Sequence, residues 1–167
     1  TVTAKKKYFV EVTADGTGQG KTLFAARLRD QFVECGVPVE MVRIESERIA
    51  AARCDGEIFI ATETIADAHR LPGGIVGVLA PLFDAVTTLA ATEAAGAIVV
   101  DWGGGLGAHR LEALVAGNID GFLQSHGILG VCCVVTTAVP ERVAEATRTL
   151  AAMREVTPTL ERVLVLN

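Results

Sequence analysis

The stretch of sequence that decides the fold is Gly16-Thr17-Gly18-Gln19-Gly20-Lys21-Thr22. It follows an apolar, β-branched run over residues 8–14 and precedes a segment with the apolar period of a helix over residues 21–35. Glycines between a strand and a helix let successive amides turn toward one anion, and the helix N-terminus adds its own N–H groups. We therefore predict that residues 16–22 bind the phosphates of a nucleotide, with Lys21 on the terminal phosphates and Thr22 on Mg²⁺.

A second motif lies about 80 residues downstream, where the apolar run Ile98-Val99-Val100 ends in Asp101 and Gly103-Gly104-Gly105 follows. Open α/β sheets bind ligands at the carboxyl ends of their strands. A carboxylate at that position can hold Mg²⁺ directly or through a water molecule. We predict that Asp101, together with Thr22, forms the metal site.

Strands and helices alternate along the chain, which predicts an α/β protein with a doubly wound, mostly parallel sheet in three layers. Further strands are expected over residues 39–44, 57–61, 97–101, 128–136 and 162–166. Helices are expected over 76–95 (with an interruption near Pro81), 108–116, 119–126 and 140–155. No linker or internal repeat divides residues 1–167, so we predict one nucleotide-binding domain. Such domains usually continue with another loop and helix, and we expect the natural chain to extend beyond Asn167.

Composition narrows the function classes. The net charge of −5 argues against a large constitutive nucleic-acid surface, although it does not exclude a local basic patch. Charges and glycines break every apolar run before the roughly 20 residues that a membrane span needs, and we recognise no signal peptide. The four cysteines lack the spacing of metal ligands, and Cys132 and Cys133 are adjacent in a strand, so they face opposite sides of it. Reduced thiols of this kind imply a cytoplasmic protein.

The glycine loop resembles the deviant phosphate-binding loop of the ParA/MinD-type ATPases, K-G-G-x-G-K-[ST]. Gly16 stands where that family has its signature lysine, and Thr17 stands where it has the next glycine. Residues 17–22 also match the T-G-x-G-K-T loop of dethiobiotin synthetase. Over nearly the whole chain the layout is similar to that of the ParA/MinD superfamily: the loop near the N-terminus, V-V-D-W-G-G-G around Asp101, V-V-T-T-A before a helix, and V-L-V-L-N ending at Asn167. Within that superfamily, it is most similar to the short plasmid TraL/MobD-like conjugation and mobilisation ATPases.

The resemblance implies roles for further residues. In related ATPases an acidic residue after the second strand orients the attacking water, which points to Glu45 or Glu47, and Glu45 is our prediction. A glycine-containing loop after the central aspartate senses the terminal phosphate, which assigns Gly103 to the nucleotide. An asparagine after the last strand bonds the adenine edge, which assigns Asn167. Lys21, Asp101 and Glu45 are then the predicted catalytic residues.

The resemblance also implies ATP and Mg²⁺ as cofactors, slow hydrolysis and a nucleotide-dependent homodimer. Our leading hypothesis is an ATPase that acts as a nucleotide switch in plasmid or DNA partition, mobilisation or positioning of a complex, with a DNA-associated or conjugation protein as partner. Two alternatives stay open: an ATP-dependent small-molecule enzyme of the dethiobiotin-synthetase type, and a nucleotide-binding interaction module without hydrolysis.

Overall fold

A computed structural model describes residues 5–14, 16, 18–46 and 56–167. Its strands are β1 Lys7–Thr13, β2 Val39–Glu45, β3 Ile58–Ala61, β4 Gly96–Trp102, β5 Ile128–Thr136 and β6 Glu161–Leu166. Its helices are α1 Lys21–Glu34, α2 Thr62–Ala66, α3 Gly74–Val78, α4 Ala80–Ala91, α5 Gly107–Ala116, α6 Ile119–Ser125 and α7 Pro140–Val156.

The six strands form one sheet in the order β3-β2-β4-β1-β5-β6, and each pair of neighbours is parallel. The central strands β1 and β4 are largely buried on both faces, as expected for a sheet covered on both sides. Parallel pairing brings the carboxyl ends of all six strands to one edge. The loop after β1 and the residues after β2, β4 and β6 therefore meet at that edge.

Two apolar clusters flank the sheet. On one face, α1 packs Phe24, Leu28 and Phe32 against strand residues such as Val12 and Val99. On the other face, α2 to α7 cover a larger cluster that contains Trp102. The three-layer α/β class predicted from the sequence is confirmed.

The cysteines of β5 follow the predicted alternation. Cys132 belongs to the larger cluster and Cys133 to the α1 cluster, so adjacent thiols face opposite sides of the sheet. Both are free and buried, whereas Cys35 at the end of α1 is exposed. Cys54 lies outside the described residues.

The expected interruption near Pro81 and one unpredicted segment have local causes. The helical segment expected over 76–95 is divided, as predicted, into α3 and α4, with Leu79 between them and Pro81 in the first turn of α4. Proline fits the first turn of a helix but disrupts an interior one, so it marks a new start. The short α2 and a 3-10 turn over Ala68–Arg70 were not predicted, because pieces of five residues or fewer carry no readable period. Among the described residues, none of the helices combines the length and apolar character of a membrane span.

Candidate functional site

The glycine loop connects the end of β1 to the start of α1, as the sequence predicted. Gly18 and Gly20 have φ values of 74° and 82°, in the left-handed region that glycine adopts without strain. Gly20 is also the N-cap residue of α1, and its carbonyl accepts the helix bond from the amide of Phe24 at 2.9 Å. Within the described ranges, no side chain caps this helix start, so its first-turn amides are open to an anion. Asp15 and Thr17 lie outside the described residues, so the predicted role of Thr17 stays a prediction.

Four predicted site residues converge beside this helix start. Lys21 and Glu45 are nearly buried, and their Nζ and Oε2 atoms are 4.0 Å apart. Asp101 is 1% exposed at the end of β4, next to Arg43 in the parallel register of β2 and β4. The Thr22 side chain approaches Asp101 from the first turn of α1. Residues from β2, β4 and α1 that are far apart in sequence thus form one cluster.

Burial dominates the electrostatics of Asp101. Desolvation raises the pKa of its carboxyl group above the ordinary value, and Glu45 adds to that rise. The Thr22 hydroxyl and then the charges of Lys21 and Arg43 act in the opposite direction. Neither Oδ atom of Asp101 has a hydrogen-bond partner of standard geometry among the described residues. A buried carboxylate in that condition gains from a cation.

The donor set fits Mg²⁺. The Thr22 hydroxyl and the Asp101 carboxylate could supply two oxygen ligands. Mg²⁺ usually takes only one or two protein groups and completes its shell with waters and phosphate oxygens. No cluster of three or more His, Cys, Asp or Glu side chains suited to a metal occurs in the described part of the chain. The fit is therefore to an ion that shares its coordination with a phosphate, not to an all-protein metal cage.

A cleft of about 440 Å³ opens over this cluster. Its size falls within the range of small-molecule sites, roughly 300–1,000 Å³. It is lined by residues 18–23, Glu45, Ser46, Thr62 and Gly104. Another cleft, of about 340 Å³, lies at the opposite ends of β2 and β4, near Pro38 and Gly96. Ligands of open parallel sheets bind at the carboxyl ends of the strands, which favours the first cleft.

Two further predicted residues have defined contacts. The amide of Gly103 donates to the carbonyl of Ile44 at 2.6 Å, so it ties the end of β4 to β2, and its neighbour Gly104 lines the cleft. Asn167 donates from Nδ2 to the carbonyl of Gln19 at 3.2 Å and therefore braces the glycine loop. The alternative switch acid, Glu47, lies outside the described residues.

The sequence did not reveal the contacts of three charged residues, one at the glycine loop and two in the protein interior. Arg142, at the start of α7, lies against Gly16 of the loop. Glu11 in β1 and Arg110 in α5 form an ion pair whose side chains are at most 1% exposed, with Oε1 and Nη1 3.4 Å apart. A lone glutamate within the apolar strand of residues 8–14 was the available signal, because a buried charge requires a partner. No local pattern pointed to Arg142, since its contact depends on the packing of α7.

The chain matches no protein-family model, and no curated protein matches it in sequence. Solved structures do resemble it. The signal recognition particle receptor FtsY from Elizabethkingia anophelis superposes with a TM-score of 0.50 at 17% identity, over 98% of this chain and 51% of that one. The protein APE1195 gives a TM-score of 0.40 at 20% identity, over 98% of this chain and 86% of that one, a likeness too weak to carry an argument. The chain spans about half the length of the FtsY chain. The likeness to FtsY, with the parallel six-stranded sheet and the glycine loop before α1, gives this chain a P-loop NTPase-like fold.

Proposed function

We propose that this protein binds ATP with Mg²⁺ in the cleft over the glycine loop and hydrolyses it slowly, as a nucleotide switch. The observation that carries the proposal is the cluster of Lys21, Thr22, Glu45 and Asp101 beside an uncapped helix start. These are the residue types that bind a terminal phosphate, hold its magnesium ion and orient a water molecule. Mg²⁺, when bound, neutralises charge on the phosphate oxygens.

Each group of the chain has a separate role in nucleotide binding and hydrolysis under this proposal. Amides of residues 18–22 bind the phosphates, and the buried Asp101 and the Thr22 hydroxyl hold the metal ion. Lys21 pairs with Glu45 when no phosphate is present, and a bound phosphate competes for that ammonium group. Glu45 is then free to orient a water molecule and accept its proton.

Adenine is the proposed base, because the chain lacks the N-K-x-D guanine signature. Beyond the site, we propose a cytoplasmic protein that forms a nucleotide-dependent homodimer and acts in DNA partition, mobilisation or positioning of a complex. The support is the resemblance of the loop and of the V-V-D-W-G-G-G segment around Asp101 to the ParA/MinD-type ATPases.

Titration calorimetry with ATP and Mg²⁺ tests the binding step, with Lys21→Ala as the variant and Lys6→Ala, at an exposed position, as the matched control. We expect Lys21→Ala to abolish measurable binding and Lys6→Ala to bind like the wild type. Equal ATP affinity in the wild type and Lys21→Ala would refute the site. Hydrolysis measured with and without DNA, beside size measurements with ATP and ADP, tests the switch. DNA-stimulated hydrolysis with ATP-dependent dimers supports it, and binding without turnover contradicts it.

A further inference from the structure

The guanidinium group of Arg142 occupies the space in which a side chain at position 16 would lie. A Cβ atom built on Gly16 would be 3.2 Å from Arg142 Nη1 and 3.0 Å from Gln19 Nε2. The φ angle of Gly16 is not positive, so its backbone conformation does not require glycine. A side chain at position 16 would instead have to displace the ends of two flexible side chains, those of Arg142 and Gln19, by a few tenths of an ångström.

The fold places Arg142 there through β5. This strand pairs with β1 on the side away from β4, and α7 begins at Pro140, shortly after β5 ends. The first turn of α7 therefore stands beside the loop that follows β1. Two positively charged side chains, Lys21 and Arg142, thus approach the same loop from different elements of the fold.

Arg142 is held only loosely in its present position. Its Nη1 atom donates to Glu145 Oε2 at 3.0 Å within α7, and the two side chains are 47% and 36% exposed. Ion pairs at that exposure contribute roughly 1 kcal/mol or less. The guanidinium group can consequently leave Glu145 for a more strongly charged partner, and a phosphate offers it two oxygens in the matching geometry.

We propose that Arg142 binds the terminal phosphate of the nucleotide and so makes the site prefer a triphosphate over a diphosphate. This inference rests on the proposed function. Amides at the start of the helix cradle the inner phosphates in loops of this type. The terminal phosphate, at the outer end of the phosphate chain, would then lie against the earlier part of the loop, next to Arg142. Gly18 lines the cleft. Gly16 is two residues away, so the Cα atoms of the two glycines are at most about 7 Å apart, and an arginine side chain can span that distance.

The test compares the affinities of ATP and ADP, each with Mg²⁺, by titration calorimetry. The variants are Arg142→Ala and Arg142→Lys, and the matched control is Arg148→Ala, an exposed arginine further along the same helix. We expect Arg142→Ala to weaken ATP by about tenfold or more and ADP by less than about twofold. Arg142→Lys should fall between, because it keeps the charge and loses the planar fork, and Arg148→Ala should match the wild type.

An unchanged ratio of ATP to ADP affinity in Arg142→Ala overturns the inference, as does an equal loss for both nucleotides. A purely structural role would give the equal loss, together with a lower thermal unfolding midpoint. If the wild type binds nucleotide and Lys21→Ala does not, such a result refutes the role of Arg142 alone. If the wild type binds neither nucleotide, the proposed function fails as well.

Glu145→Gln provides a second test that does not remove the arginine. The substitution abolishes the competing carboxylate charge, so we expect ATP to bind about two- to fivefold more tightly, with ADP unchanged. Weaker or unchanged ATP binding in Glu145→Gln contradicts the proposal.

Discussion

Replacing Arg110 by methionine should destabilise the protein strongly, because it leaves a buried carboxylate without its cationic partner. Arg110 Nη1 lies 3.4 Å from Glu11 Oε1, and the side chains are 1% and 0% exposed. Methionine keeps much of the side-chain volume but leaves Glu11 without this cation. Removing one partner of a buried ion pair costs about 3–5 kcal/mol. We expect Arg110→Met to lower the free energy of unfolding by that amount.

The double variant Glu11→Leu/Arg110→Met separates the loss of charge pairing from the loss of packing. Both charges are then absent and no desolvated ion remains, so the double variant should be within about 1 kcal/mol of the wild type or more stable. The difference between the double variant and the sum of the single variants measures the coupling.

Urea denaturation followed by the fluorescence of Trp102 provides the assay. Trp102 is the only tryptophan of the chain and is 1% exposed, so its emission reports unfolding. A cost below about 1 kcal/mol for Arg110→Met would refute the reasoning, as would a double variant less stable than the worse single variant. The pair also joins β1, which leads into the glycine loop, to α5, which follows the glycines after Asp101.

Three smaller perturbations test the burial and backbone of the same fold. The first test labels thiols with a reagent at mildly alkaline pH in a Cys54→Ser background. Cys35 should react in the native protein, and Cys132 and Cys133 should react only after unfolding. Rapid labelling of all three thiols in the native protein would contradict the burial of Cys132 and Cys133. Burial raises the pKa of Cys133 from 9.0 to about 11, so the thiol loses its proton at a lower pH in the unfolded chain than in the native protein. The free energy of unfolding should therefore fall between pH 9 and 11, and it should fall by more in the wild type than in Cys133→Ala. Gly20→Ala should cost about 1–2 kcal/mol in thermal unfolding of the nucleotide-free protein, since φ at this position is 82°, and an unchanged midpoint would argue against that loop conformation.

Local sequence signals predicted the elements of the fold well. Alternating apolar runs and helical periods located β1, α1, β4, β5 and α7, and the run of strands joined by helices required a parallel sheet. The order β3-β2-β4-β1-β5-β6 depends on which strands pair at a distance, and no local pattern encodes it. The short α2 escaped notice for a different reason, since it is too brief to show a period.

The same distinction between local sequence signals and long-range contacts applies to the candidate site. Lys21, Thr22 and Asp101 belong to two recognisable sequence motifs, so their convergence could be expected from the sequence. Glu45 was named from its place after the second strand, and its approach to Lys21 is a tertiary contact. The positions of Arg142 and of the Asn167 contact with the loop could not be derived, because they depend on how α7 and β6 pack around β5, next to the loop that follows β1.

A crystal structure of the protein with Mg²⁺ and a non-hydrolysable ATP analogue tests the central claim most directly. We predict phosphate oxygens within hydrogen-bond distance of the amides of residues 18–22, with the magnesium ion between the Thr22 hydroxyl and the Asp101 carboxylate. An analogue bound elsewhere on the molecule, or a magnesium ion that contacts neither of these side chains, would contradict it.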